Sequence, residues 1–297
     1  MRRLDAVWIA FSFLFGSICV GGCRAPREQR IAGYFGPTEP LAQVVAKINS
    51  NNSLIPTVWA KGYFEATIVD DKNRRQFVNG DAIILHRKPS EFRMVGRKDV
   101  AGQIFELGAT AERYWMIVRP EADTMWWGEF AHLAHADPRL IPIRPDLLMQ
   151  VLAVGQIDPD LLKTPAPVMR FNNDADAYML VWVDRGADRY IAQREVWYDR
   201  QTMQPRLVLL FDSDGRIVLR AYLSRHQPVD IGPVAANPPT MATQFDLLFP
   251  GTGSKLSLTL NEVKLTSNGV PKEGTIRFPG ENAGVSNVIR VDEPAAR

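Results

Sequence analysis

Val58-Trp59-Ala60-Lys61-Gly62-Tyr63-Phe64-Glu65-Ala66-Thr67-Ile68-Val69 is the stretch on which the fold turns. Ala60, Gly62, Phe64, Ala66 and Ile68 alternate with Lys61, Tyr63, Glu65 and Thr67. A period of two places the first set on one face of a strand and the second on the other. A sheet of such strands buries one face and leaves the other toward water, the habit of antiparallel sheets.

The same grain continues downstream over 76–86, 91–96, 103–107, 112–118 and 124–130, with breaks at Asp70-Asp71-Lys72-Asn73, Lys88-Pro89-Ser90 and Arg119-Pro120-Glu121-Ala122-Asp123. Breaks this short suit hairpins. Strands resume over 177–183, 190–198, 206–211, 217–223, 243–249 and 255–265, and Asp212-Ser213-Asp214-Gly215 reads as a hairpin turn. Upstream, Leu41, Val44, Val45 and Ile48 recur at helical spacing after Glu39-Pro40, and Asn49-Ser50-Asn51-Asn52-Ser53 reads as the polar loop that stops this helix. Arg144-Pro145-Asp146 introduces a second helical pattern through Leu147, Leu148, Val151, Leu152 and Val154, ended by Gly155, with a short helical turn expected over 158–162. About a dozen strands and two main helices, with no shift of composition between them, predict one domain over 39–280 and a loosely held tail over 281–297.

The first residues read Met1-Arg2-Arg3, then a nearly unbroken apolar run to Val20, then Gly21-Gly22-Cys23. A basic start, a short apolar stretch and small residues are the layout of a secretory signal peptide over 1–22, and the run is short for a permanent span of about 20 apolar residues. Val20-Gly21-Gly22-Cys23 resembles the lipobox of bacterial lipoproteins, and that resemblance implies a diacylglycerol thioether and acylated amine on Cys23, with palmitate-type chains. Cys19 leaves with the signal, so the expected mature chain has no partner for a disulfide within it. Two or more acyl chains at about 0.8 kcal/mol per buried methylene hold a protein stably at a membrane. Residues 23–38 form a tether rich in glycine, proline and polar residues, and its 15 residues after Cys23 span roughly 20 Å as a coil and about 50 Å at full extension.

The formal charge of +2 is spread as alternating signs, the pattern of a solvated surface and no footprint for nucleic acid. His132 and His135 lack a third metal ligand in sequence, and His86 and His226 stand alone. Gly251-Thr252-Gly253-Ser254-Lys255 lacks the spacing of a phosphate loop, and no nucleophile elbow is present. No enzyme activity and no cofactor are expected. In Trp126-Trp127 one indole faces away from the core side, where it either meets lipid headgroups or lies under a loop.

Arg194-Glu195-Val196-Trp197-Tyr198-Asp199-Arg200, then Pro205-Arg206-Leu207 and Phe211-Asp212-Ser213-Asp214-Gly215, resembles the LolA/LolB superfamily of lipoprotein carriers and receptors. Residues 197–205 match its W-Y-D-x-x-T-x-x-P strand and turn, and 57–64 and 256–265 fit its first and late strands. The resemblance covers about 40–278. It implies an unclosed antiparallel β-barrel, a half-barrel whose apolar concave side is covered by helices. A lipid-anchored member is similar to LolB, the outer-membrane receptor, more than to the soluble carrier, and Arg24 after the lipid cysteine fits sorting to the outer membrane.

An apolar half-barrel suits acyl chains, since it removes methylenes from water without directional contacts. The expected lining is Phe64, Ile68, Ile84, Phe92, Trp115, Trp126, Trp182 and Leu209 from strands, with Leu148 and Leu152 from the covering helix; each equally suits an ordinary filled core. The expected function is lipid binding or lipoprotein transport at the periplasmic face of the outer membrane, with acyl chains, the membrane and a soluble carrier protein as partners. Two alternatives keep the fold: an envelope stress sensor or interaction module, and a structural envelope lipoprotein filled by its own seven Trp and fourteen Phe.

Overall fold

Strands of alternating burial join here into a single sheet. The computed structural model describes residues 36–292 except 56, 71, 136–139, 153, 187, 230–236, 265–273 and 281–282. The expected signal peptide, Cys23 and the tether up to residue 35 lie outside the described residues, as do 293–297 of the tail and the His135 side chain.

The first half of the sheet comprises β1 (Thr57–Val69), β2 (Arg75–Arg87), β3 (Glu91–Lys98), β4 (Gly102–Ala109), β5 (Arg113–Val118) and β6 (Thr124–Glu129). The second half comprises β7 (Ala166–Asn172), β8 (Ala177–Arg185), β9 (Tyr190–Asp199), β10 (Pro205–Phe211), β11 (Ile217–Pro228), β12 (Thr240–Phe249) and β13 (Ser254–Lys264), and β14 (Asn287–Arg290) returns to the first half. The order is β14-β6-β5-β4-β3-β2-β1-β13-β12-β11-β10-β9-β8-β7. Every neighbouring pair is antiparallel except β14 with β6, and β1 on β13 joins the two meanders. The sheet does not close, because β14 and β7 end it at opposite edges.

One face carries the main core. On β1, Ala60, Phe64, Ala66 and Ile68 are buried there, as the alternation predicts. The helix α1 (Leu41–Asn52) adds Val44, Val45 and Ile48, and α2 (Pro145–Val151), lying against β4 and β5, adds Leu147, Leu148 and Val151. Close packing decides a glycine: a Cβ on Gly96 would sit 2.4 Å from the Phe64 ring, so only hydrogen leaves room for the Phe64–Phe105 stack at 5.1 Å.

The opposite face of β5 and β6 has its own smaller core. Trp115, Ile117, Met125 and Trp127 are covered there by Ile276, Phe278, Ala283 and Val285 from the C-terminal segment. Trp127 is 7% exposed, with the Phe278 ring 5.2 Å away and the Arg290 guanidinium 4.9 Å from its centroid. Of the two fates for this indole, the structure takes coverage by a loop. Beside Trp115, Glu106 accepts from Arg93, Gln103 and the Trp115 indole at 2.6–3.1 Å, so a carboxylate only 3% exposed is fully partnered.

Four expectations are corrected. The tail is not loosely held over 287–292: β14 pairs with β6 and buries Val291 and Asp292, whose carboxylate accepts from the Glu129 N–H at 2.7 Å. The first helix does not stop at its asparagines but runs through Asn52, because their side chains bond other segments instead of their own backbone. Residues 158–162 form no helix; Asp158 and Asp160 side chains accept from backbone N–H groups two residues on and make turns. A strand at 166–172 was not expected, since Pro167 interrupts its pattern, yet an edge strand accommodates proline. Phe35–Arg297 is one compact unit with its own core, the anatomy of a domain.

Candidate functional site

A cleft of about 560 Å³ opens between the turn after β2, the 3-10 helix Phe130–His135, α2 and β9. Each wall has a local cause. On β9, Arg194, Val196 and Tyr198 share the core-side face by alternation, while Glu195 and Trp197 point to the other. Met149, Gln150 and Asp146 come from α2, His86 from the end of β2 and Lys88 from the turn after it, and Gly155–Ile157 from the segment after α2. That segment is fixed by α1: Asn49 Nδ2 donates to Ile157 O at 2.7 Å, Ile157 N–H donates to Asn49 Oδ1 at 2.8 Å, and Asn52 Nδ2 donates to Gly155 O at 2.9 Å.

The cleft is cationic and short of partners. The Arg194 guanidinium lies 3.9 Å from the Trp182 ring centroid, its cross-strand neighbour, and has no carboxylate partner among the described residues. Burial lowers the Arg194 pKa from its ordinary value. Lys88 Nζ donates to Asn52 O at 3.2 Å and to Val154 O, and burial lowers its ammonium to about 8. His86 is 4% exposed; burial first, then the Lys88 charge, bring its pKa to about 4. Its Nδ1 finds no hydrogen-bond partner among the described residues. Burial also pushes the Tyr198 phenol up to about 12, so it stays a donor. The single acid in the lining, Asp146, is neutralised by a two-bond pair with Arg144 at 3.1 and 2.6 Å. Such a wall can hold an anion; no paired nucleophile and base stand in it among the described residues.

The ten residues expected to line a cavity are placed differently. Phe64, Ile68, Ile84, Phe92, Trp126, Leu148, Leu152 and Trp182 fall into the one buried cluster on the helix-covered face, each at most 6% exposed. They fill that face, and none borders the cleft. Trp115 belongs to the smaller core on the other face. Leu209 is half-buried on the outward side of β10, since Val208 and Leu210 occupy the core side. The cleft is lined by a mixture of apolar side chains, Leu133, Met149 and Val196 among them, and the polar groups of Arg194, Lys88 and Tyr198. Alternation put Arg194 on the apolar face of its strand, and a lone cation in such a row was the signal that could have found it.

Two other constellations are internally satisfied. Glu129, His132 and Asp292 lie close enough to share a cation, but Arg290 already sits among them, 2.8 Å from Asp292 and 3.4 Å from Glu129. In a second hollow, about 470 Å³ around Asp199, Thr202 and His226, the charges are already paired: Arg206 binds Asp199, and His226 bonds Pro205 O at 2.8 Å.

No family model and no curated protein sequence matches the chain. Solved structures similar to it include a domain named for outer membrane lipoprotein sorting from Vibrio parahaemolyticus, at 8% identity over 75% of this chain and 91% of that one, TM-score 0.46. A LolA superfamily protein from Nitrosomonas europaea aligns at 11% identity over 75% and 91%, TM-score 0.42. A DUF1329 family protein from Desulfovibrio piger aligns at 11% over 84% and 100%, TM-score 0.46.

Proposed function

We propose that this chain is a binding protein of the bacterial envelope, held at a membrane through Cys23, that takes one lipid-type ligand in the cleft between α2 and β9. The observation that carries the reading is the cleft itself: space for a single small ligand, with unspent donors around it, at the rim of an otherwise filled apolar core. Signal, lipobox and the LolA/LolB-like strand and turn at 197–205 support the compartment and the kind of cargo. An acyl chain seated there next meets Leu148, Leu152 and Trp182, and the deeper residues Phe64, Ile68, Ile84, Phe92 and Trp126 become its lining if the helices lift. The Phe35–Arg297 unit, exposed to envelope lipid extract and examined by native mass spectrometry, is expected to carry one bound lipid per chain. A clean unliganded mass under all loading conditions counts against the reading.

A second reading, an envelope sensor or interaction module, is favoured by one observation. Phe64, Phe92, Phe105, Tyr178 and Phe245 are all under 2% exposed, so the helix-covered face is occupied by the protein's own rings. A pull-down that returns a membrane signalling protein with no lipid supports it.

A further inference from the structure

The cleft is unlike an ordinary acyl pocket in its charge. An apolar site for hydrocarbon needs no cation, and leaving one unpaired in a desolvated place costs free energy unless a counter-charge arrives. Here Arg194 and Lys88 stand in one cleft, with neither held by a carboxylate among the described residues. His86 adds an independent sign: an imidazole 4% exposed that borders the same space leaves Nδ1 without a partner. Buried polar atoms in folded proteins are nearly always satisfied, so an unpartnered nitrogen in a residue of this wall marks the wall as short of partners.

We propose that the cleft is a head-group site for an anionic amphiphile, with Arg194 and Lys88 binding a carboxylate or phosphate, the Tyr198 phenol completing the shell, and the chain running inward beside Met149 and Leu133. This rests on the lipid-binding reading and narrows it to charged lipids. The planar guanidinium of Arg194, backed by the Trp182 ring, presents a two-pronged donor suited to an oxyanion. Lys88 contributes as a point charge: two backbone carbonyls direct its ammonium and leave a third proton for the ligand. Asp146 does not oppose the anion, because Arg144 holds it in a two-bond pair.

The test is calorimetric titration of the Phe35–Arg297 unit with four probes: hexadecanoate, the uncharged hexadecanol, a single-chain lysophosphatidic acid and inorganic phosphate. Binding of the two anionic amphiphiles at least tenfold tighter than the alcohol, with no saturable binding of phosphate alone, is the expected result. Arg194→Gln is expected to remove most of that difference between acid and alcohol, and Lys88→Met to reduce it. Equal affinity for acid and alcohol overturns the head-group site and leaves the lipid-binding reading standing. Phosphate bound as tightly as the lysolipid overturns the amphiphile. No binding of any chain overturns both, and the comparison within the unsubstituted protein does not depend on any variant folding.

Discussion

His86 shows how one residue couples the cleft to stability. Its folded pKa of about 4 lies below its ordinary 6.5, so between those values the unfolded chain binds more protons. The stability from its neutral form is complete above about pH 6.5 and is lost as pH falls toward 4, on the order of 3 kcal/mol in all. Urea unfolding at pH 7.0, 6.0 and 5.0 is expected to show this decline, and His86→Phe to flatten it; an unchanged slope in the variant contradicts the assignment. At Glu106 the prediction is a loss. Glu106→Ala removes the acceptor of Arg93, Gln103 and a buried Trp115 N–H and is expected to cost about 3 kcal/mol by the same measurement. Neither role was legible in the sequence: alternation assigns Glu106 to the outward face of β4, but not the three partners from β3, β4 and β5 that surround it there.

At the scale of elements, α1 is a clamp as well as a core helix. Asn49, Asn51 and Asn52 tie it to Ile157, Thr240 and Gly155, so the segment bordering the cleft is held by side chains. Asn49→Ala leaves both backbone groups of Ile157 without this partner and is expected to cost about 2 kcal/mol and to speed hydrogen exchange at the Ile157 amide. β14 closes off the edge of β6. Deleting residues 287–297 exposes that edge and uncovers Trp127, and the expected outcome is a lower Tm with self-association in sedimentation velocity. Among the described residues, twelve of the fourteen strands and the helices α1 and α2 were legible from periodicity, since each buries one face against a single sheet. The two missed strands are the edges, β7 with its proline and β14 with four residues in a polar tail, where pairing with one neighbour needs no strong alternation.

At the scale of the whole sheet, the helix-covered face is filled by the protein's own side chains among the described residues, and the cleft between α2 and β9 opens at its rim. Sequence alternation identifies which residues share a face, yet filled and hollow interiors share the same apolar pattern, so the lining residues lay beyond it. What distinguishes the opening is charge: among the apolar rows of the inner face, Arg194 is carried on β9 above Trp182 and beside Lys88 and His86. The most direct measurement of the account is fluorescence quenching of the Phe35–Arg297 unit by a fatty acid brominated near its carboxylate. Saturable quenching that largely disappears in Trp182→Phe places the head of the ligand at Arg194, as predicted. Saturable quenching undiminished by Trp182→Phe puts the ligand elsewhere and contradicts the site.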